Sequence, residues 1–550
     1  MPQEGCVRVG EHLSAQRDRD LRIADIRYYH YPYLGRLSVT SGRCTMTTAD
    51  RQKGGRSSLK RALIVGAGSG GQLIAHELKH NPRWGYQPVG FLDDDTRKVG
   101  MQVSGLPVFG EIAAMSTVVE RERVATAVIA MPSATPAALA RASELAHGAG
   151  VEVLTMPSLG SILRGEERTT TLKRVRPVDV LGRPIVEPDH EHCLSFIRGR
   201  RVLITGAAGS IGQELARQVA RLEPASVIMV DINESDLHDR HQELLMQSPN
   251  VCVQPFVMSV VDQQRMEWLF RRMQPEIVFH AAAYKHVPLM ENQPDEAIRT
   301  NVVGTRVVAQ AAARHGARRF VLVSTDKAVR PTSVMGATKR VAEMVVSDIA
   351  SRTGLSACAV RFGNVLGSRG SVIPTFERQI HAGGPVTVTD PRMRRYFMTI
   401  PEASGLIIQS GAFGEDNVIC ILDMGDDVSI VELAERVIRL HGFEPHKDMP
   451  IVFTGIREGE KLREDLANDF EMARESPHPK IRMLSAFMRP ADHLQLTERL
   501  AHLEAVAEEG EPDEIRTTLH DLVRWVDEKE KLNGSGAAAS AGPTVSTGHH

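Results

Sequence analysis

The sequence predicts an α/β protein built from two tandem Rossmann-like, doubly wound parallel-sheet domains, the second with a smaller C-terminal substrate-binding lobe. Two strand, glycine-turn and helix units carry that expectation. The first is Ala62-Leu63-Ile64-Val65 followed by Gly66-Ala67-Gly68-Ser69-Gly70-Gly71, and the second is Val202-Leu203-Ile204-Thr205 followed by Gly206-Ala207-Ala208-Gly209-Ser210-Ile211-Gly212. Each is followed by short apolar runs alternating with helical periodicity, as parallel sheets require. A chain of 550 residues is also too long for a single core.

Residues 1–60 hold Arg, Ser, Thr and Gly without a sustained period and read as an extension or linker. The first domain is expected over 61–180. After its glycine turn comes a strand Val89-Gly90-Phe91-Leu92 ending in Asp93-Asp94-Asp95, then Ala127-Val128-Ile129-Ala130, a helix from Ala137 to Ala149, and Val151-Glu152-Val153-Leu154. A polar connector over 181–200 contains Pro184, Pro188 and Arg198. The second domain is expected over 201–533, with strands near 227–230, 277–279, 320–323 and 357–360 and the substrate lobe mainly within 365–490, where Pro and Gly increase and elements shorten. Residues 534–550, beginning Gly534-Ser535-Gly536-Ala537, read as a disordered low-complexity tail.

Composition narrows the partners. With a formal charge of -2 and both signs interspersed, nothing draws the whole chain to nucleic acid or to an anionic membrane, so phosphate binding must be local. No run approaches the ~18 apolar residues of a membrane helix and no apolar signal core opens the chain, so a cytoplasmic location is expected. Six Cys lie scattered without metal-ligand spacing; they read as reduced structural thiols, and no metal is expected.

Gly206, Gly209 and Gly212 let a backbone approach a pyrophosphate lying on a helix N-terminus. The next strand ends at Asp231, where a carboxylate accepts ribose hydroxyls and repels a 2′-phosphate, which favours NAD over NADP. His280-Ala281-Ala282-Ala283 supplies small residues after a further strand, and Asn301 opens another helix. Gly66, Gly68 and Gly71 repeat the fingerprint in the first domain. There the three acids after the second strand either hold the ribose of a second nucleotide or form a solvated turn.

Met335 stands four residues before Lys339. Short-chain dehydrogenases place a Tyr-x-x-x-Lys pair at this spacing to remove a hydroxyl proton, and a thioether cannot do that. The longer strings Ala283-Tyr284-Lys285-His286-Val287-Pro288-Leu289-Met290-Glu291, Ser324-Thr325-Asp326-Lys327-Ala328, Pro331-Thr332-Ser333-Val334-Met335-Gly336-Ala337-Thr338-Lys339-Arg340, Arg361-Phe362-Gly363-Asn364-Val365-Leu366-Gly367-Ser368 and Arg457-Glu458-Gly459-Glu460-Lys461-Leu462 carry a more specific likeness. Over 202–465 the chain resembles nucleotide-sugar 4,6-dehydratases of the extended short-chain dehydrogenase group. Within them it is similar to the polysaccharide-biosynthesis subgroup that acts on UDP-N-acetylglucosamine. The first domain resembles the extra Rossmann-like domain of the long members, which usually begin with transmembrane helices.

That resemblance implies NAD-dependent dehydration giving a UDP-4-keto-6-deoxy-N-acetylhexosamine, with no net NADH. It assigns Lys339 to the nicotinamide ribose, Thr325 to the carbon 4 hydroxyl, Asp326 as acid for the departing water and Lys327 as base at carbon 5. With no phenol at Met335, Asp326 can also accept the carbon 4 hydroxyl proton; acid and base can exchange within the coupled Asp326 and Lys327 pair. Those roles require Asp326 protonated and Lys327 neutral before elimination. Burial pushes both pKa values in that direction, the positive nicotinamide and Lys339 lower that of Lys327 further, and a direct ion pair between the two would oppose both shifts. Methionine here is typical of members that retain the carbon 5 configuration. Ser210, Ile211 and Asp262 join the implied cofactor set, and Lys285, His286, Asn364, Arg369, Arg395 and Arg457 the substrate set, guanidinium forks suiting phosphate oxygens. The family commonly forms homo-oligomers. The competing readings are a UDP-sugar 4-epimerase, which needs no paired acid and lysine after Thr325, and a catalytically silent nucleotide-sugar-binding regulator.

Overall fold

The computed structural model describes residues 59–131, 134–156, 173–174, 188–468, 471, 473–485 and 492–540. The N-terminal extension up to residue 58, connector residues 181–187 and tail residues 541–550 lie outside them.

The first sheet has seven strands: β1 (Lys60–Val65), β2 (Tyr86–Leu92), β3 (Gln102–Val103), β4 (Leu106–Gly110), β5 (Thr126–Ile129), β6 (Glu152–Thr155) and β7 (Lys173–Arg174), in the order β3-β4-β2-β1-β5-β6-β7. β1 is central, pairing in parallel with β2 and β5 so that Val65 sits level with Leu92 and Ile129. Alternation along β1 sends Leu63 and Val65 into the core on one face and Ala62 and Ile64 into that on the other, the pattern of a sheet covered twice.

The second sheet is larger and repeats the plan. Its strands β8 (Arg201–Thr205), β9 (Ser226–Asp231), β10 (Val253–Val257), β11 (Ile277–His280), β12 (Arg319–Val323) and β13 (Ala357–Arg361) run parallel in the order β10-β9-β8-β11-β12-β13. Val418–Leu422 extends it in parallel, and Ile481–Ser485 and Arg474–Glu475 close the edge antiparallel. The order reverses between β8 and β11, so the crevice at their C-terminal ends is the expected ligand site of such a sheet. The segment read as the substrate lobe packs its own small core of Leu366, Ile373, Phe376, Leu433, Val437 and neighbours.

One helix dominates the second domain's other layer. Val334–Thr353 starts where the Ser333 hydroxyl accepts the Gly336 N–H (3.1 Å) and stops at Gly354 with φ +72°. Every residue from Val334 to Ala350 is buried. The helices His493–Glu509 and Pro512–Ser540 contribute Leu496, Leu503, Leu519 and Val526 to the core it shares with the sheet.

One segment read as linker carries structure. The polar connector contains a helix, His190–Ile197, capped by Asp189, with Cys193 and Ile197 buried under the second sheet. The helix Pro512–Ser540 enters the segment read as a tail, whose residues 541–550 lie outside the described residues. Among the described residues no helix is long and apolar enough to cross a membrane.

Candidate active site

The cradle at β8 is made by glycines that cannot be anything else. Gly206 has φ +67°, and a Cβ there would lie 2.7 Å from the Ala282 nitrogen and 2.8 Å from the Ala281 carbonyl carbon. A Cβ on Gly212 would fall 2.0 Å from the Gly206 oxygen, so the helix Ser210–Ala220 can start this close to the strand only with glycine. Gly209 is its N-cap, exposed and without a side-chain cap; Ser210 and Ile211 follow half-buried, which leaves first-turn N–H groups for an anion. Asp231, at the end of β9, accepts the Ala208 N–H (2.9 Å) and the Asn233 N–H (2.9 Å), pinning its carboxylate beside the glycine turn. These residues fit a dinucleotide. Asp262 accepts the Arg265 N–H as N-cap of Gln263–Met273.

Behind this cradle a buried chain of hydrogen bonds fixes the loop after β11. Thr305 donates to the Asn301 carbonyl (2.6 Å), so its oxygen accepts from His280 Nε2 (3.1 Å). His280 Nδ1 is then the acceptor for the Thr205 hydroxyl (2.7 Å), whose oxygen takes the Ala282 N–H (3.4 Å). That tautomer is neutral, and burial together with nearby Lys339 lowers the His280 pKa to about 3. Asn301 does not begin a helix as expected; it lies in a π-turn, Arg299–Val303, inside a longer helical run. Its buried amide holds the Tyr284 N–H (2.8 Å) and carbonyl (3.0 Å) and the Thr338 hydroxyl (3.0 Å). Asn301 thereby shapes the Ala281-Ala282-Ala283 loop.

The chemistry-bearing triplet lies where β12 has ended and the chain turns through Asp326–Ala328. The turn brings adjacent side chains to one site. Asp326 is fully buried; its Oδ1 accepts the Thr325 hydroxyl (2.9 Å) and the Lys327 ammonium (3.0 Å), while its Oδ2 has no hydrogen-bond partner among the described residues. Lys327 also donates to Asn364 Oδ1 (3.2 Å) and lies 3.6 Å from Glu464 Oε1. Burial opposes its charge, but Asp326 and then Glu464 outweigh burial and raise the Lys327 pKa, with Arg395 in partial opposition. The direct ion pair that opposes a neutral Lys327 is thus present in the ligand-free protein.

Glu464 was not legible in the sequence. It is 4% exposed and its Oε2, without a hydrogen bond, lies 3.5 Å from Lys461 Nζ. Its position just past the Arg457 to Leu462 string was the available signal.

Lys339 is buried with its charge, and desolvation, softened by Glu343, lowers its pKa to about 8. Met335 lies buried one turn earlier in the shared core. Glu343, one turn beyond Lys339, takes both Nε (2.8 Å) and Nη2 (2.7 Å) of the fully buried Arg361, with Arg340 at 3.3 Å and the Ser324 hydroxyl at 2.6 Å. Arg340 reaches on to Asp527 at 3.0 Å. This network ties the lysine helix to β13 and to the C-terminal helix.

The substrate set divides. Asn364 faces Lys327 directly. Arg395 is buried and donates to the carbonyls of Arg394 (2.8 Å), Lys461 (2.7 Å) and Leu462 (3.0 Å), strapping down the loop that carries Glu464. Arg369 pairs with Asp236 and donates its N–H to Ser210 Oγ (3.3 Å), lying against the cofactor cradle. Lys285, His286 and Arg457 are exposed; partial desolvation, then Arg369, lowers the Lys285 pKa, and desolvation, then Lys285, lowers that of His286.

In the first domain the same device recurs: Asp93 accepts the Ala67 N–H (2.7 Å) and the Asp95 N–H (2.9 Å), and also Lys98 Nζ (2.9 Å). Asp94 accepts the Ile112 N–H (2.9 Å) and Asp95 caps the next turn. A cavity of about 370 Å³ opens there, lined by Gly66, Gly68, Ser69, Lys98, Met131 and Arg141.

A glycine cradle at the switch point of a parallel sheet, a strand-end acid and lysine, and a buried lysine one turn after position 335 define an extended short-chain dehydrogenase/reductase. More narrowly, the chain belongs to the polysaccharide biosynthesis protein family, whose profile matches residues 202–486. Residues 37–157 match a CoA-binding domain profile. The probable polysaccharide biosynthesis protein EpsC of Bacillus subtilis is 43% identical over 427 residues, covering 78% of this chain and 71% of the relative. A UDP-glucose 4-epimerase of Rickettsia canadensis is 32% identical over 282 residues (50% of this chain, 80% of the relative). A UDP-N-acetylglucosamine 4,6-dehydratase (inverting) of Campylobacter jejuni is 31% identical over 274 residues (49% and 78%).

Proposed function

We propose that this protein dehydrates UDP-N-acetylglucosamine to a UDP-4-keto-6-deoxy-N-acetylhexosamine for glycan precursor synthesis. The observation that carries the reading is the buried Asp326 and Lys327 pair beside Thr325, with Lys327 Nζ 3.0 Å from Asp326 Oδ1. Epimerisation at carbon 4 has no use for an acid and an amine at adjacent positions; elimination across carbons 5 and 6 needs both.

NAD is the cofactor that fits the cradle, and when bound it supplies a reversible hydride acceptor. Gly206, Gly209, Gly212, Asp231 and Lys339 would hold it, with Asp231 favouring a free ribose 2′-hydroxyl. Thr325 hydrogen-bonds the carbon 4 hydroxyl. Asp326 takes the proton of that hydroxyl, the work a tyrosine at 335 would otherwise do, and gives it to the carbon 6 oxygen as water leaves. Lys327 removes the carbon 5 proton and, returning it to the same face, retains the configuration; Met335 supports that stereochemistry by leaving no second acid. Asn364 orients Lys327, and Arg369, Arg457, Lys285 and His286 supply donors for the nucleotide diphosphate.

Mass spectrometry of the product tests this. Loss of one water from UDP-N-acetylglucosamine is expected; an isobaric product points to a 4-epimerase, and tight binding without turnover to a regulatory protein. For the first domain we propose a phosphate-bearing nucleotide in the 370 Å³ cavity, because Lys98 and Arg141 flank its glycine turn. Calorimetric titration with coenzyme A and with UDP tests that, and heat abolished by Lys98→Glu is the expected result.

A further inference from the structure

Resting Lys327 is an ammonium, yet it has to lose a proton before its nitrogen can accept one from carbon 5. Under the reaction proposed above, on which this inference rests, Asp326 is already protonated by the carbon 4 hydroxyl and cannot take a second proton. Among the described residues four groups face the ammonium. Asp326 is on its own turn; Asn364, from the strand Asn364–Val365, is an amide and no base. Arg395 repels it and is spent on backbone carbonyls. Among the described residues Glu464 is the remaining base: buried, with its Oε1 3.6 Å from Lys327 Nζ, while its other oxygen, Oε2, is turned toward Lys461.

We propose that Glu464 takes the resting proton of Lys327 and thereby arms that lysine as the base. One Lys327 N–H bond breaks, one Glu464 O–H bond forms, and the electron pair stays on nitrogen. An ion pair becomes a neutral pair, the direction that expulsion of water by a bound sugar favours. Lys461, 3.5 Å from the far oxygen, opposes the transfer and returns the site to its charged state when water re-enters. The loop is held at several points. Lys461 Nζ also donates to the Val329 carbonyl (2.7 Å) and Thr332 Oγ1 to the Gly459 carbonyl (3.0 Å), in addition to the Arg395 strap.

The test uses the full chain with Glu464→Gln and two readouts. Solvent deuterium incorporation at carbon 5 is followed from about pH 6 to about pH 9; internal transfer keeps the wild type nearly flat, whereas E464Q, which must discharge Lys327 to solvent, rises roughly tenfold per pH unit and recovers in alkali. In ligand-free protein, acylation of Lys327 read by mass spectrometry begins at lower pH in E464Q, since one neighbouring negative charge is gone. An E464Q variant with the wild-type pH profile, at full or uniformly reduced rate, overturns the proposal. If E464Q does not fold, Glu464→Asp replaces it: a retained flat profile supports the proposal and a hydroxide-dependent one sinks it. Wild type that neither loses water nor exchanges carbon 5 refutes the dehydratase reading instead, while acylation unchanged in E464Q shows that Glu464 does not act on Lys327 and overturns the proposal by itself.

Discussion

Lys339→Met is expected to make the ligand-free protein more stable while disabling it. Burial lowers the Lys339 pKa from the ordinary 10.5 to about 8; at about 1.4 kcal/mol per tenfold change in proton affinity, the charged lysine costs the folded state about 3 kcal/mol. The unfolded chain binds more protons between those two values, so this penalty is complete below pH 8 and fades as pH rises toward 10.5. Methionine fills a similar volume without the charge. Urea denaturation without ligands should therefore show K339M ahead by up to about 3 kcal/mol at neutral pH, the gap closing by about 1 kcal/mol per pH unit above pH 8. NAD affinity should fall in the same variant. A less stable K339M, or a gap that does not narrow with pH, would show that Lys339 is compensated in the folded protein.

Gly206→Ala forces an L side chain to φ +67° against backbone 2.7 Å away; NAD binding should weaken at least about tenfold, and unchanged calorimetric affinity would refute the cradle. Glu343→Gln leaves two buried guanidinium groups short of a carboxylate; a loss of about 3 kcal/mol is expected in urea, and a loss under about 1 kcal/mol would mean Glu471 and Asp527 suffice. Asp326→Asn should cut dehydration at least about a hundredfold with NAD affinity intact, and a near-normal rate removes Asp326 from the scheme.

What the sequence disclosed was set by short-range geometry. Gly206 and Gly212 were readable because backbone crowding at a strand-to-helix turn admits no Cβ, and Asp231 because its partners Ala208 and Asn233 lie at fixed offsets in a βαβ unit. The strand-end position of Asp326 and Lys327 followed from the end of an apolar run. The raised pKa of Lys327 did not: Glu464 lies 137 residues beyond Lys327 and meets it through the loop that Arg395 straps down. The contacts of Asn301 were not legible either, because its amide meets Tyr284 and Thr338 only through tertiary structure. His190–Ile197 escaped notice because eight residues carry too little periodicity to separate from a linker.

The enclosure of the Val334–Thr353 helix has a consequence for how the protein is made. The covering residues Leu519 and Val526, and Asp527 that pairs with Arg340, are translated some 180 residues after the helix they cover. Until they emerge, the apolar flank beside Lys339 has no permanent cover. A ribosome-bound chain can complete both glycine cradles early, yet the lysine that serves the second one settles only when the last helices dock, so the interval between those events is where chaperone dependence and aggregation should concentrate.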